Sequence, residues 1–176
     1  MAFTFECYAR EELVIHPCER EMVQAAKKYN VPLSILYAVG LTETGHRGSL
    51  QPYALNLHGP SFFASSLQEG IEHFRSAQKN GVKLIDIGCM QINHHFHRDK
   101  FTSLEAMFDP HQNVDYAARF LRDLKIQEGS WTLAAARYHA GTGNNFAQKH
   151  YVCNVITNMV ASGFGAWTVN AIRFCR

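Results

Sequence analysis

The sequence predicts an α+β fold that is mostly helical, and two patterns support this. Apolar residues recur at helical spacing over most of the chain, and the runs YALNL and SFFAS flank His58-Gly59-Pro60 as in a small β-hairpin. The 176 residues are 47% hydrophobic and 18% charged. This composition supports a folded core and excludes a disordered chain, a collagen-like chain and a coiled-coil rod.

The first two helices are predicted on either side of a short break. Residues 18–29 are amphipathic, and the break follows at Asn30. Pro32 suits the first turn of the next helix, because the N–H that it lacks has no partner there. The second helix is therefore predicted over residues 32–44.

The elements after the hairpin follow from caps and periodicity. Ser66 and an acidic first turn open a helix over residues 66–80, which Gly81 ends. Residues 82–87 are rich in β-branched side chains and indicate a short strand or an extended loop. Three more amphipathic stretches predict helices, at 110–128, 130–140 and 144–161.

The chain is predicted to form one domain over residues 18–162. Residues 1–17 are an N-terminal extension, and residues 163–176 are a tail packed on the domain. The net charge of +2 and the lack of a basic block disfavour a nucleic-acid partner. No apolar run approaches the roughly 20 residues of a membrane span.

The five cysteines favour an oxidising compartment. Their spacing has no CxxC pair, and it suits one or two disulfides that tie the chain ends to the core. The alternative is a cytosolic protein with buried free thiols. The opening residues lack the apolar run of a secretory signal, so a secreted protein would have lost its signal. The cysteines are Cys7, Cys18, Cys89, Cys153 and Cys175.

Glu43 is the first candidate for chemistry. It continues the apolar stripe of Ile35 and Val39 at the C-terminal end of the predicted second helix. Partial burial and the negative end of the helix dipole would both raise its pKa, as a general acid requires. The alternative is that Glu43 emerges into solvent where the helix stops.

Two further segments and a histidine cluster are candidates. GCMQIN (88–93) offers amide groups suited to sugars, or is simply a turn that leads into a helix. Tyr138 lies near the end of a predicted helix. It either presents its phenol to a groove or packs in the core with its hydroxyl hydrogen-bonded. His94, His95 and His97 lack a completing ligand apart from Asp99, so we predict a polar loop beside a groove and no metal site.

Taken in order, these segments resemble the motifs of the soluble lytic transglycosylase catalytic domain. The resemblance covers roughly residues 18–152 and implies the lysozyme-like fold of the goose-type and transglycosylase branch. It is nearest to compact periplasmic enzymes of Gram-negative bacteria, some of them attached to secretion, conjugation or flagellar machinery. The matching segments are AVGLTETG (38–45), GCMQIN (88–93), FDPHQNVDYAARFL (108–121), ARYHAG (136–141) and HYVCNV (150–155).

The sequence departs from the family pattern in three places. Cys89 stands where the family has Leu, His139 stands for Asn, and about 44 residues separate Glu43 from Gly88. The longer connection, which holds the hairpin and the third helix, is expected to build one wall of the groove. Cys89, one of these departures, suggests a disulfide with Cys18 on the first helix. The second predicted disulfide joins the tail to the domain, Cys153 to Cys175.

The resemblance implies cleavage of the β-1,4 bond between N-acetylmuramic acid and N-acetylglucosamine in peptidoglycan. Glu43 would be the single general acid and base, and a 1,6-anhydro ring would form in place of water attack. Neither a metal nor an organic cofactor is implied, and the expected location is the periplasm. The residues expected to contact substrate are Thr44, Asp86, Met90, Gln91, Asn93, Tyr138 and His139.

Two alternatives remain from the sequence. A goose-type lysozyme would cleave the same bond with water, and Asp86 would then position the water. An inactive glycan-binding or assembly module belongs to a different class, and Glu43 at a helix end counts against it.

Overall fold

The chain folds as a set of helices packed around one small antiparallel sheet. The computed structural model describes residues 16–57, 59, 61–141, 143 and 145–176. The predicted extension (1–17) therefore lies almost wholly outside the described residues, as do His58 and Pro60 of the predicted hairpin turn. The helices are α1 (Pro17–Tyr29), α2 (Leu33–Thr44), α3 (Leu67–Lys79), α4 (His94–His97), α5 (Leu104–Phe108), α6 (Pro110–Glu128), α7 (Trp131–Ala140), α8 (Asn145–Ala161) and α9 (Val169–Cys175).

Side-chain caps begin the helices close to their predicted positions. Ser66 accepts a hydrogen bond from the Glu69 N–H at the start of α3, and Asp109 caps α6 in the same way. Ser130 caps α7, and Gly129 ends α6 in the left-handed conformation. The structure confirms these predicted helices. They could be predicted because each cap depends on contacts within a few residues.

Helix α6 lies at the centre of the helical layer. It packs between α1 and α7, while α8 packs against both α7 and α2. Its inner face consists of fully buried side chains, including Val114 and Leu121. Burial of such a face is the main stabilising contribution to the domain. The same packing brings the C-terminal end of α2 beside α8.

The sheet holds two hairpins, one more than predicted. Strands β1 (Ala54–Asn56) and β2 (Ser61–Phe63) form the predicted hairpin. Strands β3 (Asp86–Ile87) and β4 (Ile92–Asn93) form the second, and the order is β2-β1-β3-β4 with antiparallel neighbours. Only the last two residues of the predicted 82–87 stretch are a strand. Strands of two residues leave too little alternation for the sequence to reveal them.

Two disulfides join the pairs that the sequence analysis suggested. Cys18 of α1 is bonded to Cys89, and Cys153 of α8 to Cys175 of α9. The first fixes α1 to the turn between β3 and β4. Cys7 lies outside the described residues.

The C-terminal tail contains a helix that the sequence analysis did not predict. Thr168 caps α9 through the Ala171 N–H, and the second disulfide joins α9 to α8. Several of its large side chains remain exposed, including Trp167 and Phe174. None of the described helices has the length and apolar character to cross a membrane.

Candidate active site

A cleft of about 570 Å³ lies beside the sheet and receives the C-terminal end of α2. The sheet and α4 form one wall, and α6 and α7 supply the other. Its lining contains Glu43, Asn56, Leu84, Asp86, Gln91, Ile92, Asn93, Phe96, His97, Phe120, Arg137, Tyr138, His139, Ala140 and Gly141.

Glu43 reaches this cleft as the penultimate residue of α2. Its side chain is only 14% exposed, so the structure places it against the cleft and not free in solvent. Oε1 accepts a hydrogen bond of 2.6 Å from the hydroxyl of Tyr151 on α8. Within the described residues, Oε2 has no hydrogen-bond partner. One carboxyl oxygen is therefore held by the protein, and the other is left to carry a proton.

The environment of Glu43 favours its protonated form. Burial raises the pKa of the carboxyl to about 8, and the negative charge of Asp86 acts in the same direction. The hydrogen bond from Tyr151 opposes this shift because it stabilises the carboxylate. At neutral pH the group therefore holds a proton that it can donate.

Asp86 and Asn93 are paired across β3 and β4. The Asn93 amide donates a hydrogen bond of 2.7 Å to Oδ1 of Asp86, and its Oδ1 accepts from the His95 N–H. Asn93 therefore holds the second acid of the cleft and caps α4 at once. Both residues line the cleft, and their contact with substrate stays a prediction.

The turn between β3 and β4 is fixed from behind by Asn113 of α6. The buried Asn113 amide donates to the carbonyl oxygens of Ile87 and Met107 and accepts from the Met90 N–H. Gly88 has φ of +80°, and a Cβ there would lie 2.6 Å from Nδ2 of Asn113. The turn therefore requires glycine for both conformation and space.

Gln91 completes this turn with a left-handed backbone. Its φ is 47°, and its Nε2 donates to the carbonyl oxygens of Ala54 and Gly88. The side chain lines the cleft, and Oε1 has no partner within the described residues. Gln91 can therefore offer an acceptor to a ligand while its nitrogen joins the turn to β1.

Thr44 and Met90, which we expected to contact substrate, lie in the interior. Thr44 is 2% exposed and donates to the carbonyl oxygens of Gly40 and Cys89. Met90 is fully buried, and its carbonyl oxygen accepts from the hydroxyl of Tyr138. This corrects the expectation for both residues, because neither has exposed surface for a sugar. They join α2 and α7 to the turn.

Tyr138 lines the cleft but does not bond to Glu43. Its hydroxyl donates a hydrogen bond of 2.7 Å to Met90 O. Burial holds the pKa of the phenol well above its usual value, and the negative charge of Glu43 acts in the same direction. The phenol therefore stays protonated and serves as a fixed donor.

His139 stands beside the pair of Glu43 and Tyr151. Its ring stacks on Tyr151 with centroids 4.3 Å apart and planes 6° apart. Nδ1 of His139 lies 4.0 Å from Oε1 of Glu43. The residue that departs from the family pattern is thus in direct contact with the acid and its partner.

The three histidines after β4 have separate surroundings. His94 lies edge-on to Phe74, and Nδ1 of His97 is 2.8 Å from the Tyr116 hydroxyl. They form the short helix α4 where we predicted a polar loop, and His97 lines the cleft. Over the described part of the chain, His, Cys, Asp and Glu form no group of three that could hold a metal ion.

A second groove of about 610 Å³ lies on the other side of α2 and differs in chemistry. Its carboxylate, Glu19, accepts a hydrogen bond of 3.0 Å from Tyr37, whose ring contacts Phe164. Glu19 is the one acid among the described residues that line this groove. We assign the cleft as the candidate site because it holds the buried, protonated carboxyl.

Sequence reasoning missed the roles of Tyr151 and Asn113. Both lie in segments that resemble the family, HYVCNV and FDPHQNVDYAARFL, which we used only to place helices. Each is a buried polar residue on an apolar helix face. A buried polar group needs a partner, and this requirement was the available signal.

Fold and site together define a lysozyme-like α+β protein with one buried, protonated carboxyl at a helix end in an open cleft. The family model of the transglycosylase SLT domain matches residues 21–158, and the chain belongs to this family. No curated protein and no solved structure matches the chain significantly. Membership implies lytic-transglycosylase-type activity on peptidoglycan, which lies outside the cytoplasm. The two disulfides fit an oxidising compartment.

Proposed function

We propose that the protein cleaves the β-1,4 bond between N-acetylmuramic acid and N-acetylglucosamine without water and leaves 1,6-anhydro ends. Glu43 acts as both acid and base. The observation that carries this proposal is the burial of the Glu43 carboxyl beside Tyr151. Burial keeps the carboxyl protonated at neutral pH.

In the first step the Glu43 carboxyl gives its proton to the glycosidic oxygen. The bond from that oxygen to C1 of the muramoyl sugar breaks, and the N-acetylglucosamine leaves with a free 4-hydroxyl. The substrate's own 2-acetamido oxygen bonds to C1 and forms an oxazolinium ion, as in substrate-assisted glycosidases. The Glu43 carboxylate is then the counter-ion of the positive ring, and the Tyr151 hydroxyl stabilises the negative charge on Oε1.

In the second step the Glu43 carboxylate takes the proton of the muramoyl 6-hydroxyl. The 6-oxygen attacks C1, the oxazolinium opens and the anhydro ring closes. Glu43 is protonated again and no water is consumed. One carboxyl is therefore sufficient, in contrast to glycosidases that use two.

Polar groups of the cleft would orient the sugars. Oε1 of Gln91 offers an acceptor, and Asn93 and Asp86 form a hydrogen-bonded pair on the same wall. The exposed ring of Phe96 adds an apolar face. Hydroxyl and acetamide groups need such acceptors, and a pyranose ring can pack on an aromatic face.

Hydrolysis is the second candidate, and Asp86 is the observation that favours it. Asp86 lines the cleft and is close enough to Glu43 to raise its pKa. A carboxylate there could activate a water for attack at C1, as in a goose-type lysozyme. The inactive binding module is disfavoured by the protonated Glu43.

We assign this activity to the periplasm, in line with the two disulfides and the peptidoglycan substrate of the family. The association with a secretion, conjugation or flagellar apparatus stays a prediction from the family resemblance.

The test is mass spectrometry of the soluble fragments that the protein releases from purified peptidoglycan. Fragments one water lighter than hydrolysis products are expected from the wild type and from Asp86→Asn. Glu43→Gln should release none while its melting curve shows a folded protein. Fragments of hydrolysed mass that disappear in Asp86→Asn would establish the lysozyme. Cleavage by Glu43→Gln at the wild-type rate would exclude both schemes.

A further inference from the structure

His139 and Tyr151 restrict each other at the base of the cleft. They belong to α7 and α8, and their rings lie face to face at 4.3 Å. The far end of the Tyr151 ring holds the hydroxyl that bonds Glu43 at 2.6 Å. The stacked imidazole blocks movement of the phenol toward α7, so the hydroxyl is kept within reach of the carboxyl.

We propose that His139 is a positioning residue, whose imidazole stacks on Tyr151 and holds the phenolic hydroxyl on Oε1 of Glu43. The acid proton is thereby kept on Oε2. This inference rests on the proposed function, because it takes Glu43 as the acid. It gives a role to the position at which this chain departs from the Asn of the family pattern.

A flat ring at residue 139 is what this role requires. Asparagine is shorter and has no ring to cover the face of Tyr151, whereas histidine and phenylalanine both have one. The His139 side chain is 45% exposed, and its ring is stacked on that of Tyr151. Phenylalanine at this position would keep the stacking and remove the titrating nitrogen.

The charge on His139 matters because of the groups that face it. Glu43 faces it from α2, Asp86 acts on it from β3, and His150 and Tyr151 lie on α8. Burial lowers the pKa of His139, the neighbouring Asp86 opposes this shift, and the neighbouring His150 acts in the same direction as burial. The ring is therefore neutral at pH 7, and a neutral ring leaves the Glu43 carboxylate free to balance the oxazolinium.

Protonation of His139 would weaken the stabilisation of the oxazolinium by the Glu43 carboxylate. An imidazolium 4.0 Å from Oε1 would pair with the Glu43 carboxylate and oppose the positive charge that develops at C1. Because burial lowers the pKa of His139, the rate should fall only at pH values below the usual His value of 6.5. His97 also lines the cleft with a lowered pKa, so the variants at residue 139 decide whether the fall belongs to His139.

The experiment compares His139→Asn with His139→Phe in the fragment-release assay. At pH 7, His139→Asn should lower kcat by roughly 10- to 100-fold with little change in KM, because a catalytic group misplaced by about 1 Å can cost about 100-fold. His139→Phe should keep kcat within about threefold of the wild type. It should also lose the acid-side fall of the rate, whereas His73→Asn, a matched control at an exposed histidine outside the cleft lining, should keep that fall.

A signal independent of cleavage separates this inference from the proposed function. The proton of the Tyr151 hydroxyl should be visible by NMR in the wild type and in His139→Phe, and lost to exchange in His139→Asn. If no variant cleaves peptidoglycan but this pattern holds, the proposed function fails and the positioning role stands. Wild-type kcat in His139→Asn, or His139→Phe no better than His139→Asn, would overturn the inference.

Discussion

The hydroxyl of Tyr151 donates a hydrogen bond of 2.6 Å to Oε1 of Glu43 across 108 residues of sequence. Glu43 lies at the end of α2 and Tyr151 within α8, and the two helices pack against each other. The geometry of the acid therefore depends on the packing of α8 on α2.

Removal of this hydrogen bond should slow catalysis without unfolding the protein. A hydrogen bond to a charged group contributes about 1.5–3 kcal/mol, so we expect Tyr151→Phe to lower kcat by roughly 10- to 100-fold. Fragment release at saturating peptidoglycan measures it. Tyr53→Phe, a tyrosine outside the cleft lining, is the control. Equal rates for Tyr151→Phe and the wild type would show that the bond does not serve catalysis.

The pH profile should report the acid directly. Activity should fall above pH 8, where Glu43 loses its proton. Tyr151→Phe should move this alkaline midpoint to higher pH, because the lost hydrogen bond stabilised the carboxylate. Initial rates from about pH 5 to about pH 10 measure both effects. A midpoint that moves to lower pH would contradict the assignment.

Glu43 should also make the protein less stable as the pH rises. Its pKa is 4.5 in an unfolded chain and about 8 in the folded state, so unfolding releases this proton between those values. The stability that it contributes is fully present below pH 4.5 and declines up to about pH 8. Glu43→Gln, which cannot ionise, should be more stable than the wild type by on the order of 3 kcal/mol at pH 7.

Chemical denaturation at neutral pH and at pH 4.5, the pKa of Glu43 in the unfolded chain, measures this difference in stability. The two proteins should agree at the lower pH and diverge at the higher. Glu72→Gln, on the exposed side of α3, should match the wild type at both. A stability gap between Glu43→Gln and the wild type that is independent of pH would mean that Glu43 is not held protonated.

Substitutions at Gly88 and Gly81 should distinguish the cost of backbone strain from the cost of a steric clash. Both have positive φ, but a Cβ at Gly81 meets open space, whereas one at Gly88 meets the amide of Asn113. Gly81→Ala should cost about 1–2 kcal/mol for backbone strain. Gly88→Ala should cost at least about 2 kcal/mol more, because it also displaces buried hydrogen bonds. Urea titration measures both, and equal losses would contradict the role of Asn113.

The two disulfides should differ in their effect on activity. By loop length, loss of Cys18–Cys89 should cost about 4 kcal/mol and loss of Cys153–Cys175 about 3 kcal/mol. Only the first adjoins the cleft turn, so Cys18→Ser/Cys89→Ser should also lose cleavage at temperatures where it is folded. Cys153→Ser/Cys175→Ser is the matched control and should cleave normally. Normal cleavage by the first variant would separate the disulfide from the site.

Local signals in the sequence predicted the fold well. Caps such as Ser66 and Ser130 and the apolar face of α6 depend on neighbours a few residues away, so the helices could be predicted. The hairpin of β3 and β4 could not, because its strands have two residues each and depend on Asn113 and the pairing with β1.

The candidate site was predicted only in part, for the same reason. Glu43 could be found because its position at the end of an apolar helix stripe is a local feature. Tyr151 could not, because its role is set by the packing of α8 on α2. Thr44 and Met90 were misplaced because a motif does not tell which of its residues face the cleft and which face the core.

The buried amide of Asn113 holds the turn of Gly88 and Met90 from the side opposite the cleft. The turn is thus supported from behind as well as by the Gln91 and Tyr138 side chains that line the cleft. Residues of the rim such as Phe96 and His97 can then be exchanged, in evolution or by design, without moving the backbone beneath them. The cleft is a scaffold in which glycan preference is adjustable while the acid stays in place.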